Sequence, residues 1–334
     1  MQIGLSFDLK EVIPVEHNCG DDTLEEYDTS ETVELISAAL EAKGHSVVKL
    51  GGGSQFLCNI RREKVDIVFN IAEGRGNYRS REAQVPSVLE MLDIPYTGSD
   101  PQCLAICLDK ALTKKLVAAE GISTPKWLEI AYEEELSRVS WDGFPFPVVI
   151  KPGYEGSSKG IHLTSLVHSV SQAQEEAKRI LTDYRQPVII EEFIDGDEVT
   201  VGVIGNLSPK ILGTMRILPK RKDDYFIYSL EVKRDYLNLV EYDCPARLEE
   251  KVLDKIALTS LKGFQALRCR DFARLDFRIS PKRIPYLIEI NPLPGLGTYS
   301  DLVIMALAMG WTHQELIRTV LDAALERYPQ YACV

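Results

Sequence analysis

Residues 273–300 constrain the fold of this chain more than any other stretch. They read Ala273-Arg-Leu-Asp-Phe-Arg-Ile-Ser-Pro-Lys-Arg-Ile-Pro-Tyr-Leu-Ile-Glu-Ile-Asn-Pro-Leu-Pro-Gly-Leu-Gly-Thr-Tyr-Ser300. Two alternating apolar–polar segments, 273–279 and 285–290, flank Ser280-Pro-Lys282, which predicts an antiparallel pair of strands with a short connection. Side chains two apart on a strand share a face, so Arg274 and Asp276 point one way, as do Glu289 and Asn291. Oxygen donors in such a cluster suit Mg²⁺, which binds through one or two carboxylates plus substrate phosphates. The segment Asn291-Pro-Leu-Pro-Gly295-Leu-Gly297 then turns and frees backbone N–H groups beside that cluster. The competing reading is a hairpin carrying solvated charges.

A chain of 334 residues can bury a large core and form two or three domains. Its net charge of −12 disfavours nucleic acid as a partner but not a nucleotide, which needs only a local basic pocket. No apolar run reaches the ~20 residues of a membrane helix, and the N-terminus lacks the form of a signal peptide. The seven cysteines are scattered. Only Cys103 and Cys107 lie close, no second pair or histidine completes a zinc site, and free thiols in a reducing cytoplasm are expected.

In chain order, strands are expected over 2–7, 46–50 and 65–71. A helix capped by Thr29 or Ser30 stands between the first two, making a small parallel α/β unit. The acidic segment from His17 to Asp28 is too long for a tight turn. Gly51-Gly-Gly-Ser54 lacks the spacing and the lysine of a phosphate loop and reads as a turn. Arg75, Arg79 and Arg81 follow the third strand, where open α/β sheets place ligands, and could receive a carboxylate or simply be solvated. A helix over 84–92 leads to a turn-rich connector at 94–100. A single helix over 101–120 follows, then strands at 127–131 and 148–151, a Gly/Ser loop at 152–160 and a helix over 169–182. Strands are expected at 188–194, 198–204 and 210–217, an irregular polar stretch over 223–247, and helices over 247–266 and 312–327. The division is 1–100, 101–186 and 187–334, a mixed α/β (α+β) architecture.

Lys151, at a strand end before a Gly/Ser loop, offers a cation and several backbone N–H donors, the means by which a triphosphate is gripped. Lys110 supplies a second cation. Glu191 and Glu198 could bind the amino and hydroxyl groups of adenosine, or merely sit at exposed strand ends.

Taken in order, Pro95-Tyr-Thr-Gly-Ser99, Asp109-Lys110, Pro147-Val-Val-Ile-Lys-Pro152, Glu155-Gly-Ser-Ser-Lys-Gly160, Glu191-Glu-Phe-Ile194, Ala273-Arg-Leu-Asp-Phe277 and Leu287-Ile-Glu-Ile-Asn-Pro-Leu-Pro-Gly295 resemble the ATP-grasp superfamily. The resemblance is to its D-alanine–D-alanine ligase branch and spans about 95–318. It implies a three-domain ATP-grasp fold with ATP between the central and C-terminal domains. The implied reaction activates a carboxylate as an acyl phosphate, which an amine then attacks. By position, Lys110, Lys151 and Ser158 would hold ATP phosphates and Glu191 and Glu198 the adenosine. Asp276, Glu289 and Asn291 would hold two Mg²⁺ ions, with Mn²⁺ as a substitute. Arg274 and the Gly295 N–H would stabilise the tetrahedral oxyanion, Ser157 would sit by the substrates, and Lys233 would close on the phosphates. The resemblance further implies a cytoplasmic enzyme of small amino-acid substrates, commonly dimeric.

The substrate-facing positions depart from the family. Its N-terminal Glu-x-Glu-Val-Ser has its nearest counterpart in Glu25-Glu-Tyr-Asp28, and Glu73 stands where the family has a histidine. The lid reads Lys233-Arg234 in place of Lys-Tyr, and Ser-His-Ser becomes Thr298-Tyr299-Ser300. Glu25, Glu73, Arg234, Tyr299 and Ser300 are therefore the expected substrate contacts, and Arg234 suggests a substrate with an extra carboxylate. The expected activity is ATP-dependent joining of two amino acids. The alternatives are a different small-metabolite acceptor, or a non-catalytic ATP-binding sensor, which would have no need of Arg274.

Overall fold

The computed structural model describes residues 1–13, 20–221 and 225–329. His17 and Cys19 in the acidic segment, residues 222–224 of the polar stretch, and Cys333 lie outside the described residues.

The first sheet is parallel, in the order β2-β1-β3, from β1 (Gln2–Ser6), β2 (Ser46–Gly51) and β3 (Ile67–Asn70). Its helices are α1 (Ser30–Glu41), α2 (Gly53–Arg62) and α3 (Gln84–Met91). The Thr29 hydroxyl accepts the Thr32 N–H, satisfying one of the donors a helix start leaves free, so Thr29 rather than Ser30 caps α1. Gly51-Gly-Gly-Ser54 is more than a turn. Gly51 (φ +70°) ends the strand, and α2 begins at Gly53 (φ +54°). Phe56 and Ile60, four apart and buried, bring this short helix onto the sheet.

The second sheet is antiparallel, in the order β4-β7-β5-β6. Before it come α4 (Pro101–Leu108) and α5 (Lys110–Ala119). The single helix expected over 101–120 is broken at Asp109, whose extended backbone and side-chain bond to the Leu112 N–H start α5 afresh. β4 (Trp127–Ile130), β5 (Val148–Pro152), β6 (Leu166–Val167), α6 (Val170–Tyr184) and β7 (Val188–Glu192) complete the layer. Ile150, Ile190, Ala173 and Ile180 form its dry core.

The third sheet, also antiparallel, runs β10-β9-β8-β11-β12. It holds β8 (Asp197–Ile204), β9 (Lys210–Pro219), β10 (Val240–Asp243), β11 (Phe272–Ile279) and β12 (Pro285–Asn291). Its helices are α7 (Leu230–Arg234), α8 (Tyr236–Leu239), α9 (Glu250–Ala266), α10 (Asp301–Ala308) and α11 (His313–Glu326). The described part of 223–247, expected to be irregular, thus contains two short helices and a strand. α10 was not foreseen either, because its nearly all-apolar sequence lacks a polar face. One face of this sheet packs on α9, α4 and α5. The other meets α10 and α11, and α11 in turn packs on α1, joining the C-terminus to the first sheet through Ile36, Leu316, Ile317 and Val320. Full burial of each such side chain contributes about 2 kcal/mol.

Candidate active site

The antiparallel pair predicted at 273–291 forms as β11 and β12. Its register sets Arg274 opposite Asn291 and Asp276 opposite Glu289, so four polar side chains share one face at the strand ends. Arg274 binds Asp276 at 2.8 Å and Asp301 at 3.2 Å, and Asn291 donates to Asp276 at 3.0 Å. Burial pushes the Asp276 carboxyl up to about 6, with Arg274 opposing. Glu289 is held down at about 2. Burial works against this, but Lys110, Lys151 and Arg274 outweigh it.

Arg274, Asp276 and Glu289 floor a cavity of about 520 Å³ whose walls include both antiparallel sheets, and Asn291 borders a smaller cavity beside it. Lys110 and Lys151 line the larger cavity, as do Ser157, Ser158, Glu191, Glu198, Lys233, Gly295 and Ser300. Sequence reasoning therefore brings the expected nucleotide, metal and acyl-transfer residues to one place. Lys110 caps the floor, 3.4 Å from Glu289, and also bonds the Glu155 carbonyl. Ser157 and Ser158 both have left-handed backbones (φ 52° and 59°), a conformation non-glycine residues rarely adopt and one that clusters at ligand clamps. Lys233 reaches the Ser157 carbonyl at 3.3 Å, so α7 lies over the loop, and burial lowers its ammonium's pKa, Arg274 adding to the effect.

Glu191 and Glu198, which line the cavity, also pair with cations of the protein itself. The Glu191 carboxylate is buried on β7 and paired with Lys151 at 3.0 Å and with Lys114 on its other oxygen. The second contact is an ion pair rather than an aligned hydrogen bond. Glu198, pushed to about 7 by burial, pairs with Arg278 at 3.1 Å, whose guanidinium lies 4.6 Å from the centre of the Phe193 ring. Lys114 was missed. Its signal was legible in Lys110-Ala-Leu-Thr-Lys114, an i,i+4 pair that puts both ammonium groups on one face of α5. It is 1% exposed, and burial lowers it to about 8.

Arg81, left open between a ligand carboxylate and solvent, meets internal carboxylates instead. Buried and 2% exposed, it binds both oxygens of Glu26 at 2.7 Å, Glu155 at 3.1 Å and the Tyr154 carbonyl at 2.7 Å. Arg75 pairs with Asp8 at 2.9 Å, and Arg79 stands exposed, 3.9 Å from Asp109. Glu26, which also accepts the Gly156 N–H, is the inward-facing acid of Glu25-Glu-Tyr-Asp28. Glu25 faces Arg234 at 2.8 Å, and Arg234 also binds Asp21 at 2.6 Å. Arg234 thus latches α7 to the N-terminal acidic segment and does not line the cavity, which removes the reason to expect a second substrate carboxylate. Asp22 braces the same loop, accepting from the Gly160 N–H at 2.8 Å and the Tyr184 hydroxyl at 2.6 Å.

Tyr299 is 71% exposed and stands against Tyr236. Ser300 starts α10, and a Cβ placed on Gly295 would come within 3.0 Å of its hydroxyl, so a side chain at 295 would crowd the turn. Glu73 lines a side cavity of about 60 Å³ together with Glu82, Arg274 and Gly295. The expectation that Cys103 and Cys107 find no further partner is corrected. Cys269, just before β11, brings its sulfur within 4.8 Å of both, so three buried thiols cluster behind the floor. Cys58, Cys103, Cys107, Cys244 and Cys269 are free thiols.

No helix among the described residues is long and apolar enough to cross a membrane. Comparison with known proteins matches residues 116–322 to the family described as "D-ala D-ala ligase C-terminus". An uncharacterized protein, y4sG, of Sinorhizobium fredii is 34% identical over 304 residues, covering 88% of this chain and 87% of that one. The D-alanine–D-alanine ligase of Carboxydothermus hydrogenoformans is 32% identical over 314 residues (92% and 97%), and that of Aquifex aeolicus 33% over 290 (87% and 93%). The crystal structure of D-alanine–D-alanine ligase from Bacillus anthracis complexed with ATP superposes with a TM-score of 0.74 at 24% identity, covering 99% of both chains. The VanG D-Ala:D-Ser ligase of Enterococcus faecalis gives 0.71 at 21%, covering 97% and 99%. Those superpositions establish the ATP-grasp fold, and the matched family and relatives the chemistry: this chain belongs to the D-alanine–D-alanine ligase family of ATP-dependent, ADP-forming carboxylate–amine ligases, which make a peptide bond.

Proposed function

We propose that the chain joins two small amino acids, D-alanine being the substrate named for its relatives, and that the residues around the 520 Å³ cavity carry the reaction. The observation that supports this most is the convergence of Lys110, Lys151, Arg274, Asp276, Glu289 and Gly295 from separate segments onto that one cavity, with Asn291 beside them on β12. The three sheets suggest three working bodies, with the nucleotide between the second and third; the boundary expected at 186 falls later, because β7 (Val188–Glu192) pairs within the second sheet.

A carboxylate oxygen of the first amino acid attacks the γ-phosphorus of ATP, releasing ADP and leaving an acyl phosphate. The neutral amine of the second then attacks the acyl carbon, the carbon–oxygen bond to phosphate breaks, and the nitrogen gives up a proton. Lys110 and Lys151 bind phosphate oxygens, with Ser158 and its neighbours offering backbone N–H groups. Glu191 keeps Lys114 and Lys151 charged and aimed. Arg274 and the Gly295 N–H face the oxyanion of the tetrahedral intermediate, Ser157 and Ser300 position the amino acids, and Lys233 covers the phosphates.

The donor set of Asp276, Glu289 and the Asn291 amide consists of hard oxygens and fits Mg²⁺ or Mn²⁺, given a rotation of the Asn291 amide that aims its oxygen inward. Such ions neutralise charge on a transferring phosphoryl group. Dependence on ATP fits a cytoplasmic enzyme, and a homodimer is the assembly proposed.

ADP release on mixing the protein with ATP, Mg²⁺ and a panel of D- and L-amino acids, with product masses read in parallel, tests the reading. A dipeptide mass with stoichiometric ADP is expected. ADP formation stimulated by no amino acid would refute ligation and leave a nucleotide-binding sensor.

A further inference from the structure

Three buried sulfurs meet behind the floor of the main cavity. Cys103 and Cys107, four apart, share one face of α4, and Cys269 meets them from the segment that leads into β11. Each is carried by a fixed backbone. Asp100 caps α4 by accepting the Cys103 N–H at 2.8 Å, and its other oxygen pairs at 2.6 Å with Arg270, the neighbour of Cys269. The Cys269 N–H donates to the Phe264 carbonyl at 2.9 Å, across the left-handed Arg268 (φ 55°) that closes α9. Helix ends, and not side-chain rotation alone, therefore bring the three thiols together.

The Cys103 sulfur lies 4.0 Å from that of Cys107 and 3.6 Å from that of Cys269, and all three are within 4.8 Å of one another. A point equidistant from them is about 2.1–2.5 Å from each, which brackets the ~2.3 Å of a metal–thiolate bond. Among the described residues no fourth histidine, cysteine or carboxylate joins the group, so the four-ligand closure of a structural Zn²⁺ site is lacking. The charge state favours a monovalent ion. Hydrogen bonds from Cys107 and Cys269 hold the Cys103 thiol well below its usual range, and their bonds with Cys103 hold the other two above it. One thiolate between two thiols is neutralised by a single positive charge. A divalent ion would need a second thiol to ionise, or would leave net charge in a core shared with Val117, Ile122 and Phe264. Cys107 also borders the side cavity of about 60 Å³, which supplies a way in.

We propose that Cys103, Cys107 and Cys269 form a three-sulfur binding site for Cu(I), a soft monovalent cation suited to thiol and thiolate ligands. Bound there, the ion joins α4, which leads into Lys110, to the start of β11, which carries Arg274 and Asp276. Neither ATP nor an amino acid takes part in this binding, so it stands or falls separately from the ligase reading.

The test adds Cu(I), as its acetonitrile complex and without oxygen, to the reduced full-length protein in the presence of bicinchoninate, a coloured Cu(I) chelator. About one Cu(I) per chain should withstand the chelator, with three sulfurs at about 2.3 Å in its X-ray absorption spectrum. The ion should survive Cys19→Ser, Cys58→Ser, Cys244→Ser and Cys333→Ser made together. Cys103→Ala, Cys107→Ala and Cys269→Ala should each weaken its binding by about a hundredfold or more. An ion lost from the four-serine variant, or held equally well by the three alanine variants, is an adventitious ion only and overturns the proposal. Failure of any Cu(I) to withstand the chelator also overturns it and leaves the three thiols as core packing. So does a spectrum with fewer than three sulfurs. The sulfur count is read on the unmodified protein and does not depend on any variant folding.

Discussion

Arg81 is the side chain whose removal should cost this structure most. Its guanidinium is buried and makes charge-assisted bonds to Glu26 on one side and Glu155 on the other, with a third arm on the Tyr154 carbonyl. In Arg81→Ala, Glu26 retains only the Gly156 N–H and more distant Lys159, while Glu155 keeps Lys159 and Gln186. Breaking a buried pair by deleting one partner costs about 3–5 kcal/mol, because the other charge stays buried. Two carboxylates are affected and one keeps a lysine, so about 4 kcal/mol is expected at pH 7.5, a large part of the ~5–15 kcal/mol a folded domain has. Arg81→Lys restores the charge but not the fork that reaches Glu26, Glu155 and Tyr154 together, and should recover about half of the loss. Urea unfolding at pH 7.5 and at pH 5 measures it. The Arg81→Ala deficit should shrink at pH 5, where orphaned carboxylates take up protons. A deficit under 1 kcal/mol at pH 7.5, or one independent of pH, would refute the account of Arg81 as a charge hub.

Other perturbations separate catalytic from structural roles. Arg274→Ala should lower kcat by about 10²–10³, the usual loss of one oxyanion donor of about 3 kcal/mol, with the KM for ATP changed less than threefold; a parallel rise in KM would place Arg274 in ATP binding instead. Asp28 is raised by burial from 3.8 to about 7, Lys10 opposing and Asp8 adding to the shift. The unfolded chain therefore gives up this proton first, and stability falls as pH rises from about 4 to about 7. Asp28→Asn should then gain about 2 kcal/mol at pH 8 and nothing at pH 4, read as a Tm difference at the two pH values. The Arg234 latch is half exposed, so Arg234→Ala should cost under 1 kcal/mol in urea unfolding. A larger cost would mean that the acidic segment depends on it for folding.

The half of the site proposed for metal and phosphate was legible because its geometry is local. Arg274, Asp276, Glu289 and Asn291 lie on two strands joined by a short turn, and strand periodicity puts them on one face. Lys151 sits at a strand end before its own loop. The substrate half was not, because it is made of pairs far apart in sequence. Nothing near Arg81 in the chain tells that Glu26 and Glu155 will meet it. Nothing near Arg234 tells that Asp21 and Glu25 will neutralise it, so an arginine that looked free for a ligand proves to be spent on the protein. The fold showed the same division. Strands with clear alternation were found to within a residue or two, whereas α10, whose sequence lacks a polar face, and the break at Asp109 depend on tertiary surroundings.

Asp22 and Glu26, on the N-terminal acidic segment, bond Gly160 and Gly156, the two ends of the loop that carries Ser157 and Ser158. That loop is consequently a party wall: on the proposed function one side would face the phosphates, while the other is buttressed by the acidic segment. Whatever settles the acidic segment also settles the phosphate grip, and reciprocity requires that the debt run both ways. The nucleotide should therefore bind more tightly once an amino acid is in place, and the amino acid more tightly once the nucleotide is, by the same factor.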